Sequence, residues 1–241
     1  MTNDRVLFSV EDGVAHVRLN RADKRNGLDR AMFEALVAAG ETVAADRRVR
    51  AVVLSGEGPA FCAGLDWQSF LGDREGSTAL LARDAARSPA NVAQRACWIW
   101  TEVPVPIIAA VHGAALGGGL QLALACDIRL IAPEATLSVM EIRYGLVPDM
   151  TASQTLLRLV RPDVAKELVF TGRLVNGEEA GRVGLATRVC ADPLSEAKEL
   201  ARTIAAQSPD AIRAAKKLCD RAPGMSIADA LKLETELQLG L

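Results

Sequence analysis

Two uninterrupted apolar runs, Ala51-Val52-Val53-Leu54 and Ile107-Ile108-Ala109-Ala110-Val111, constrain this chain more than any other feature. A strand with one wet face alternates apolar and polar residues, whereas a run without polar breaks reads as a strand buried on both faces. The first run is bounded by Arg50 and Ser55-Gly56, and a third segment, Ile128 to Ile131, follows the same rule apart from Arg129. Stretches with helical periodicity lie between the runs. Strands alternating with helices predict an α/β layer fold.

The flanking segments fit that plan. Arg5 to Val10, Asp12-Gly13 and Val14 to Leu19 read as a β-hairpin with Val17 and Leu19 inward, and His16 and Arg18 outward. His16 is thus expected to be a surface strand residue. Asp29 is placed to cap a helix whose apolar positions Met32, Phe33, Leu36 and Val37 recur at helical spacing. A second helix is expected around Asn91 to Trp100. Further on, Asn176 caps Gly177 to Val183 and Gly184 terminates it. Leu194 to Gln207 is amphipathic, Ser208-Pro209-Asp210 opens a helix through Cys219, and Ser226 caps another. The expected division is an α/β core over 1–190 and a helical region over 191–241.

The composition excludes several functions. With 241 residues, half of them apolar, the chain can bury one substantial core and a small helical appendage. Its formal net charge is −2 and it has no long Lys/Arg run, so a nucleic-acid partner is not expected. The start, Met-Thr-Asn-Asp-Arg, lacks the apolar core of a secretory signal, and no apolar segment is long enough to cross a bilayer. Five scattered cysteines without a C-x-x-C pair suggest reduced thiols and a cytoplasmic location, with Cys126 and Cys219 in apolar helical contexts. The two histidines are far apart, and no metal site is expected.

Gly113-Ala114-Ala115-Leu116-Gly117-Gly118-Gly119 lies between a strand and a helix. It is neither G-x-G-x-x-G nor a phosphate loop ending in Gly-Lys-Ser/Thr, which argues against a nucleotide-dependent enzyme. The glycines suit close packing of helix on sheet. They also suit an oxyanion site, because amides at a helix start carry positive potential and lack intrahelical partners. A second amide could come from Cys62-Ala63-Gly64-Leu65-Asp66.

Taken together, the ordered motifs resemble the crotonase (enoyl-CoA hydratase/isomerase) superfamily over nearly the whole chain. They are Asn20-Arg21…Asn26-Gly27-Leu28, Phe61-Cys62-Ala63-Gly64-Leu65-Asp66, Pro106 to Gly113, Gly117 to Leu124, Cys126-Asp127-Ile128-Arg129, Gly145-Leu146-Val147-Pro148, and Thr171-Gly172 followed by Glu179-Ala180…Gly184-Leu185. The resemblance implies a spiral core of stacked ββα turns, a helical C-terminal region used in trimer formation, and a homotrimer or dimer of trimers. It also implies a coenzyme A thioester as substrate, with no separate cofactor. The family's oxyanion amides map onto Ala63 and Gly118, and its CoA contacts onto Lys24, Arg25, Ala63, Leu65 and Asp66. Trp67, Phe70 and Trp98, with Trp100 nearby, are candidates for the acyl pocket; by spacing alone they serve equally as core or interface residues. The segment Gly72 to Asn91 corresponds to a part that varies with substrate in the family.

Family hydratases use two glutamates, and here the first of those positions is Gln121 and the second is Glu141. An amide orients water but does not exchange a proton near neutral pH. Asp149, eight residues after Glu141, has the spacing of family dienoyl-CoA isomerases, which also carry an acid where this chain has Gln121. The implied catalytic set is therefore Glu141 as base, Asp149 as acid or as a like-charge partner, and Gln121. The plainer alternatives are that Glu141 caps or pairs with Arg143 and that Asp149 caps a helix from about Thr151. The expected activity is isomerisation or hydration of an unsaturated acyl-CoA; the alternative is a non-catalytic acyl-CoA-binding homologue.

Overall fold

The structure is a computed structural model that describes residues 5–70, 78–83 and 88–241. Its strands are β1 (Val6–Glu11), β2 (Val14–Leu19), β3 (Ala51–Gly56), β4 (Ile107–Val111), β5 (Ala114–Leu116), β6 (Ile128–Ile131), β7 (Thr136–Ser138), β8 (Val175–Asn176) and β9 (Arg188–Val189). Its helices are α1 (Arg30–Ala45), α2 (Trp67–Phe70), α3 (Val92–Glu102), α4 (Gly118–Leu124), α5 (Leu156–Leu159), α6 (Pro162–Thr171), α7 (Gly177–Val183), α8 (Pro193–Ala205), α9 (Pro209–Arg221) and α10 (Ile227–Leu239).

β1 and β2 form the expected antiparallel hairpin, with Asp12 and Gly13 both at positive φ in the turn. From β2 onward the large sheet is parallel, in the order β1-β2-β3-β4-β6-β9, and β5, β7 and β8 form a second, three-stranded sheet. The chain passes from a strand of the large sheet to one of the small sheet twice in a row, β4 to β5 and β6 to β7. These successive ββ units stack through parallel pairing in both sheets.

The apolar runs are buried on both faces, as their composition predicts. Val52, Leu54, Ile107 and Ala109 face the main core with Met32, Phe33 and Leu36 of α1, whereas Ala51, Val53, Ile108 and Ala110 face Ala197 and Ala201 of α8. Each fully buried large side chain in these layers contributes roughly 1.5–3 kcal/mol. The helical region expected from residue 191 thus begins with a helix that completes the sheet packing; only α9 and α10 lie outside it. α10 buries Leu233 alone and exposes Ile227, Leu231 and Leu239.

Local capping follows the sequence closely. The carboxyl of Asp29 accepts from Met32 N at 2.8 Å, and the side chains of Asn176, Ser208 and Ser226 cap α7, α9 and α10. Two expectations fail. His16 lies on the face opposite Val17 and Leu19 but is half-buried there, not an open surface residue: its Nε2 lies 2.8 Å from Ser55 Oγ, and burial, aided by Lys198 and Arg18, lowers its pKa to about 4. Cys219 is exposed whereas Cys126 is buried. The polar start at residues 1–4 and half of the Gly72 to Asn91 segment, 72–77 and 84–87, lie outside the described residues, as does residue 71.

Candidate active site

The site is built where the glycine turn meets the Cys62-to-Asp66 loop. Gly117, with φ 50° and ψ −122°, reverses the chain after β5 so that α4 starts at Gly118. Such a φ favours glycine. The two loops are in direct contact: a Cβ added at Gly119 would lie 2.2 Å from Cys62 O, and one at Gly64 would lie 2.5 Å from Leu116 O and 3.6 Å from Gly118 N.

Their amides divide into engaged and free. Gly117 N donates to Ser138 O at 2.9 Å, and Ala63 N donates to Arg25 O at 2.9 Å. The expectation that Ala63 supplies an oxyanion amide is therefore corrected, since its hydrogen is already committed to the backbone. Two residues further on, Leu65 lies between Gly64 and Asp66, whose O and N both pair with Leu28. That pairing leaves the Leu65 N–H on the opposite side of the strand-like segment. Neither it nor the N–H of Gly118, first in its helix, has an acceptor among the described residues.

Beside this turn lies a buried polar cluster. Gln121, on the first turn of α4, is 1% exposed. Its Oε1 accepts from Met150 N at 2.8 Å and Ala152 N at 3.1 Å, and its Nε2 donates to Glu141 Oε1 at 2.6 Å. Glu141 opens a short 3-10 helix, Glu141–Tyr144, which Gly145 ends in the left-handed region. Its Oε1 would lie 3.4 Å from a Cβ at Gly117, and its Oε2 is buried without a hydrogen-bond partner. Burial pushes the Glu141 carboxyl above the usual carboxylate range, and the charge of Asp149 adds to this; its own backbone N–H and Gln121 oppose it.

Asp149 stands at the exposed rim, and burial of its carboxyl by surrounding atoms raises its pKa as well. It caps no helix: a bend at 150–151 and a turn over 152–155 follow it, and the next helix starts only at Leu156. Glu141 makes no ion pair with Arg143 either, so both plainer alternatives fall away. Glu141, Gln121 and Asp149 therefore form one cluster, joined by the hydrogen bond and the electrostatic contact.

The other expected site residues separate. Lys24 and Arg25 are exposed on a tight turn, Arg25 and Asn26 both at positive φ, beside the Ala63 loop. Asp66 is occupied structurally: burial would raise its pKa, but hydrogen bonds from Ser69 and from Arg21, at 2.7 Å, hold it below the usual range. Trp67 meets Tyr144 of the Glu141 helix, with centroids 5.1 Å apart. Phe70 packs partly buried on the main core and Trp100 is fully buried in it. Trp98 departs from the acyl-pocket expectation. It lines a cavity of about 1280 Å³ between α3, the end of α4, α9 and α10, and neither Gln121, Glu141 nor Gly118 lines that cavity.

A model of the enoyl-CoA hydratase/isomerase family matches residues 9–240. The chain belongs to that family. A Thermus thermophilus protein provisionally assigned as an enoyl-CoA hydratase is 40% identical over 94% of this chain and 88% of its own length. The solved enoyl-CoA hydratase of Bacillus anthracis superposes with a TM-score of 0.89 at 31% identity, covering 98% of this chain and 90% of that one. A Thermobifida fusca protein with the same provisional assignment, solved in complex with CoA, gives 0.86 at 34% identity over 99% and 93% of the two chains. The chain has the crotonase fold and is an enzyme of the hydratase/isomerase type.

Within this family setting, sequence reasoning named Gly118, Gln121, Glu141 and Asp149, and the structure places Gln121 and Glu141 in contact beside the turn that leads into Gly118. It missed the free Leu65 amide and the Met150 and Ala152 amides, whose roles depend on partners distant in sequence. Among the described residues no group of three or more His, Cys, Asp or Glu side chains could hold a metal ion, and no helix is long and apolar enough to cross a membrane.

Proposed function

We propose that this enzyme shifts the double bond of an unsaturated acyl-CoA through a thioester enolate, with the Leu65 and Gly118 amides as oxyanion donors and Glu141 as the base. The observation that carries this reading is a carboxylate with one buried, unpartnered oxygen beside a turn and a contacting loop that each hold one unengaged amide. In a 3-enoyl thioester, Glu141 takes a proton from C2. The C–H electron pair forms the C1–C2 double bond, and the carbonyl pair moves onto the thioester oxygen. Two amides stabilise that charge by roughly 3 kcal/mol each. Return of the proton to C4, from Glu141 or Asp149, restores the carbonyl and leaves the double bond between C2 and C3.

Gln121 favours this over hydration. Addition of water across C2–C3 is helped by a second carboxylate that accepts from the water, and the only acceptor atom of Gln121 already takes two backbone hydrogen bonds. The unpartnered oxygen and raised pKa of Glu141 likewise favour turnover over passive binding of the thioester. Lys24 and Arg25, exposed beside the loop, suit the phosphates of CoA. Trp67 and Phe70, next to the loop, suit the acyl chain. The apolar face that α10 leaves open suits burial in a homotrimer or dimer of trimers, and unpaired cysteines suit a reducing, cytoplasmic setting.

The test is proton NMR in deuterium oxide with trans-3-hexenoyl-CoA and crotonyl-CoA. Conversion of the first to the 2-enoyl thioester, with slow hydration of the second, is expected. Rapid formation of 3-hydroxybutyryl-CoA with no shift of the 3-enoyl bond would overturn the isomerase assignment.

A further inference from the structure

Gln121 is joined to two segments that the chemistry needs to hold in register. On one side its Nε2 grips Glu141 Oε1; on the other its Oε1 takes the amides of Met150 and Ala152. The two amides flank Thr151, which has φ +82° and an unpartnered buried hydroxyl. A β-branched residue in that region is strained and persists only where its surroundings hold it. One side-chain oxygen therefore pins both sides of a strained residue, and Asp149 immediately precedes that turn.

The orientation of the amide admits no alternative. Two N–H donors converge on one end of the side chain, so that end is oxygen, and the NH2 faces Glu141. With Oε1 of Glu141 taken, Oε2 is the oxygen without a partner. The charge of Asp149 acts on Glu141, and the buried thiol of Cys97 in α3 in turn feels both carboxylates.

We propose that Gln121 is a positioning residue: it holds Glu141 by Oε1 so that Oε2 moves the proton, and it clamps the Thr151 turn so that Asp149 stays coupled to Glu141. This rests on Glu141 being the base. A glutamate at 121 keeps the size of the side chain but sets a second carboxyl oxygen about where Nε2 is, 2.6 Å from Glu141 Oε1. Two carboxylates so close share one proton and titrate as a pair, one step moving up and the other down.

The experiment is a 13C-carboxyl NMR titration of the full chain, with Glu141→Gln as the assignment control, in the parent, Gln121→Glu and Gln121→Met. It is paired with isomerisation of trans-3-hexenoyl-CoA across pH. In Gln121→Glu the Glu141 titration is expected to split into two displaced steps. The falling rate at low pH should move with the upper step, and kcat at pH 7 should drop by about ten-fold or more with KM nearly unchanged. In Gln121→Met the Glu141 titration is expected to move higher. An unchanged Glu141 titration in both folded variants would overturn the proposal, and so would a loss of thermal stability with the pH profile intact. Should the parent show no isomerisation, the base assignment fails, while the titration still tests whether Gln121 governs Glu141.

Discussion

Among the described carboxylates that burial pushes upward, Asp127 and Glu141 are furnished in opposite ways. Asp127, where the sheet meets α9, is paired at both oxygens: Oδ1 with the buried Lys216 at 2.5 Å, Oδ2 with Ile107 N at 2.7 Å. Lys216 is further tied to Asp220 at 3.2 Å. Among the described residues Glu141 has no cation partner: Oε1 takes a hydrogen bond from a neutral amide, and Oε2 has no hydrogen-bond partner. The first arrangement pins α9 to the core. The second leaves a carboxyl oxygen unengaged, at a cost in stability that a purely structural residue has no reason to carry. The contrast separates a clamp from a reactive group more sharply than the pKa directions, which agree.

The largest expected effect breaks the pair apart by activity. Glu141→Gln should lower isomerisation by on the order of 10²–10⁴-fold with the fold intact, whereas Asp127→Asn should keep kcat within a few-fold. Stability should show the reverse. Asp127→Asn leaves Lys216 with Asp220 alone and should cost about 2 kcal/mol by urea unfolding. That is below the range for a fully buried pair, because the Asp127 side chain keeps 27% exposure.

A comparable loss should follow from the loop contact. Gly64 has φ +84° and no room for a Cβ against Leu116 O. Gly64→Ala should therefore destabilise by about 2 kcal/mol and displace the Leu65 amide, lowering kcat as well. Near-normal kinetics in a folded Gly64→Ala protein would remove the Leu65 amide from the mechanism.

How much of this was legible in the sequence depends on how local each feature is. The hairpin, the buried runs and the caps at Asp29, Asn176, Ser208 and Ser226 follow from neighbours within a few residues, and the structure reproduces them. The engagement of Ala63 was not legible, because its acceptor is Arg25 on another loop. Nor was the commitment of Gln121 to the amides of Met150 and Ala152. The family resemblance implied that Glu141 and Asp149 belong together; only the three-dimensional structure shows which oxygen is free. His16 was misjudged for a related reason: alternation says which face of the sheet a residue takes, but not that α8 covers that face.

Acidity sharpens the comparison with a smaller effect. The folded chain holds the Glu141 proton to higher pH than the unfolded chain, whose value is near 4.5. Stability therefore falls as pH rises from there through the raised folded value. Glu141→Gln should match the parent in Tm below that window and exceed it above. A constant difference across pH would contradict the assignment of a raised pKa to Glu141. The smallest effect is expected at Thr151. Replacement by glycine relieves φ +82° and should raise stability by about 1 kcal/mol or less, the entropy of the unfolded glycine chain offsetting part of the gain.

The most direct test is the rate at which C2 deuterium from solvent enters trans-3-hexenoyl-CoA, measured side by side for the parent, Glu141→Gln and Asp127→Asn at pH 7. The account predicts exchange in the parent and Asp127→Asn at similar rates and almost none in Glu141→Gln. Exchange that persists in a folded Glu141→Gln protein would contradict it, because the unpartnered oxygen would then not be the base.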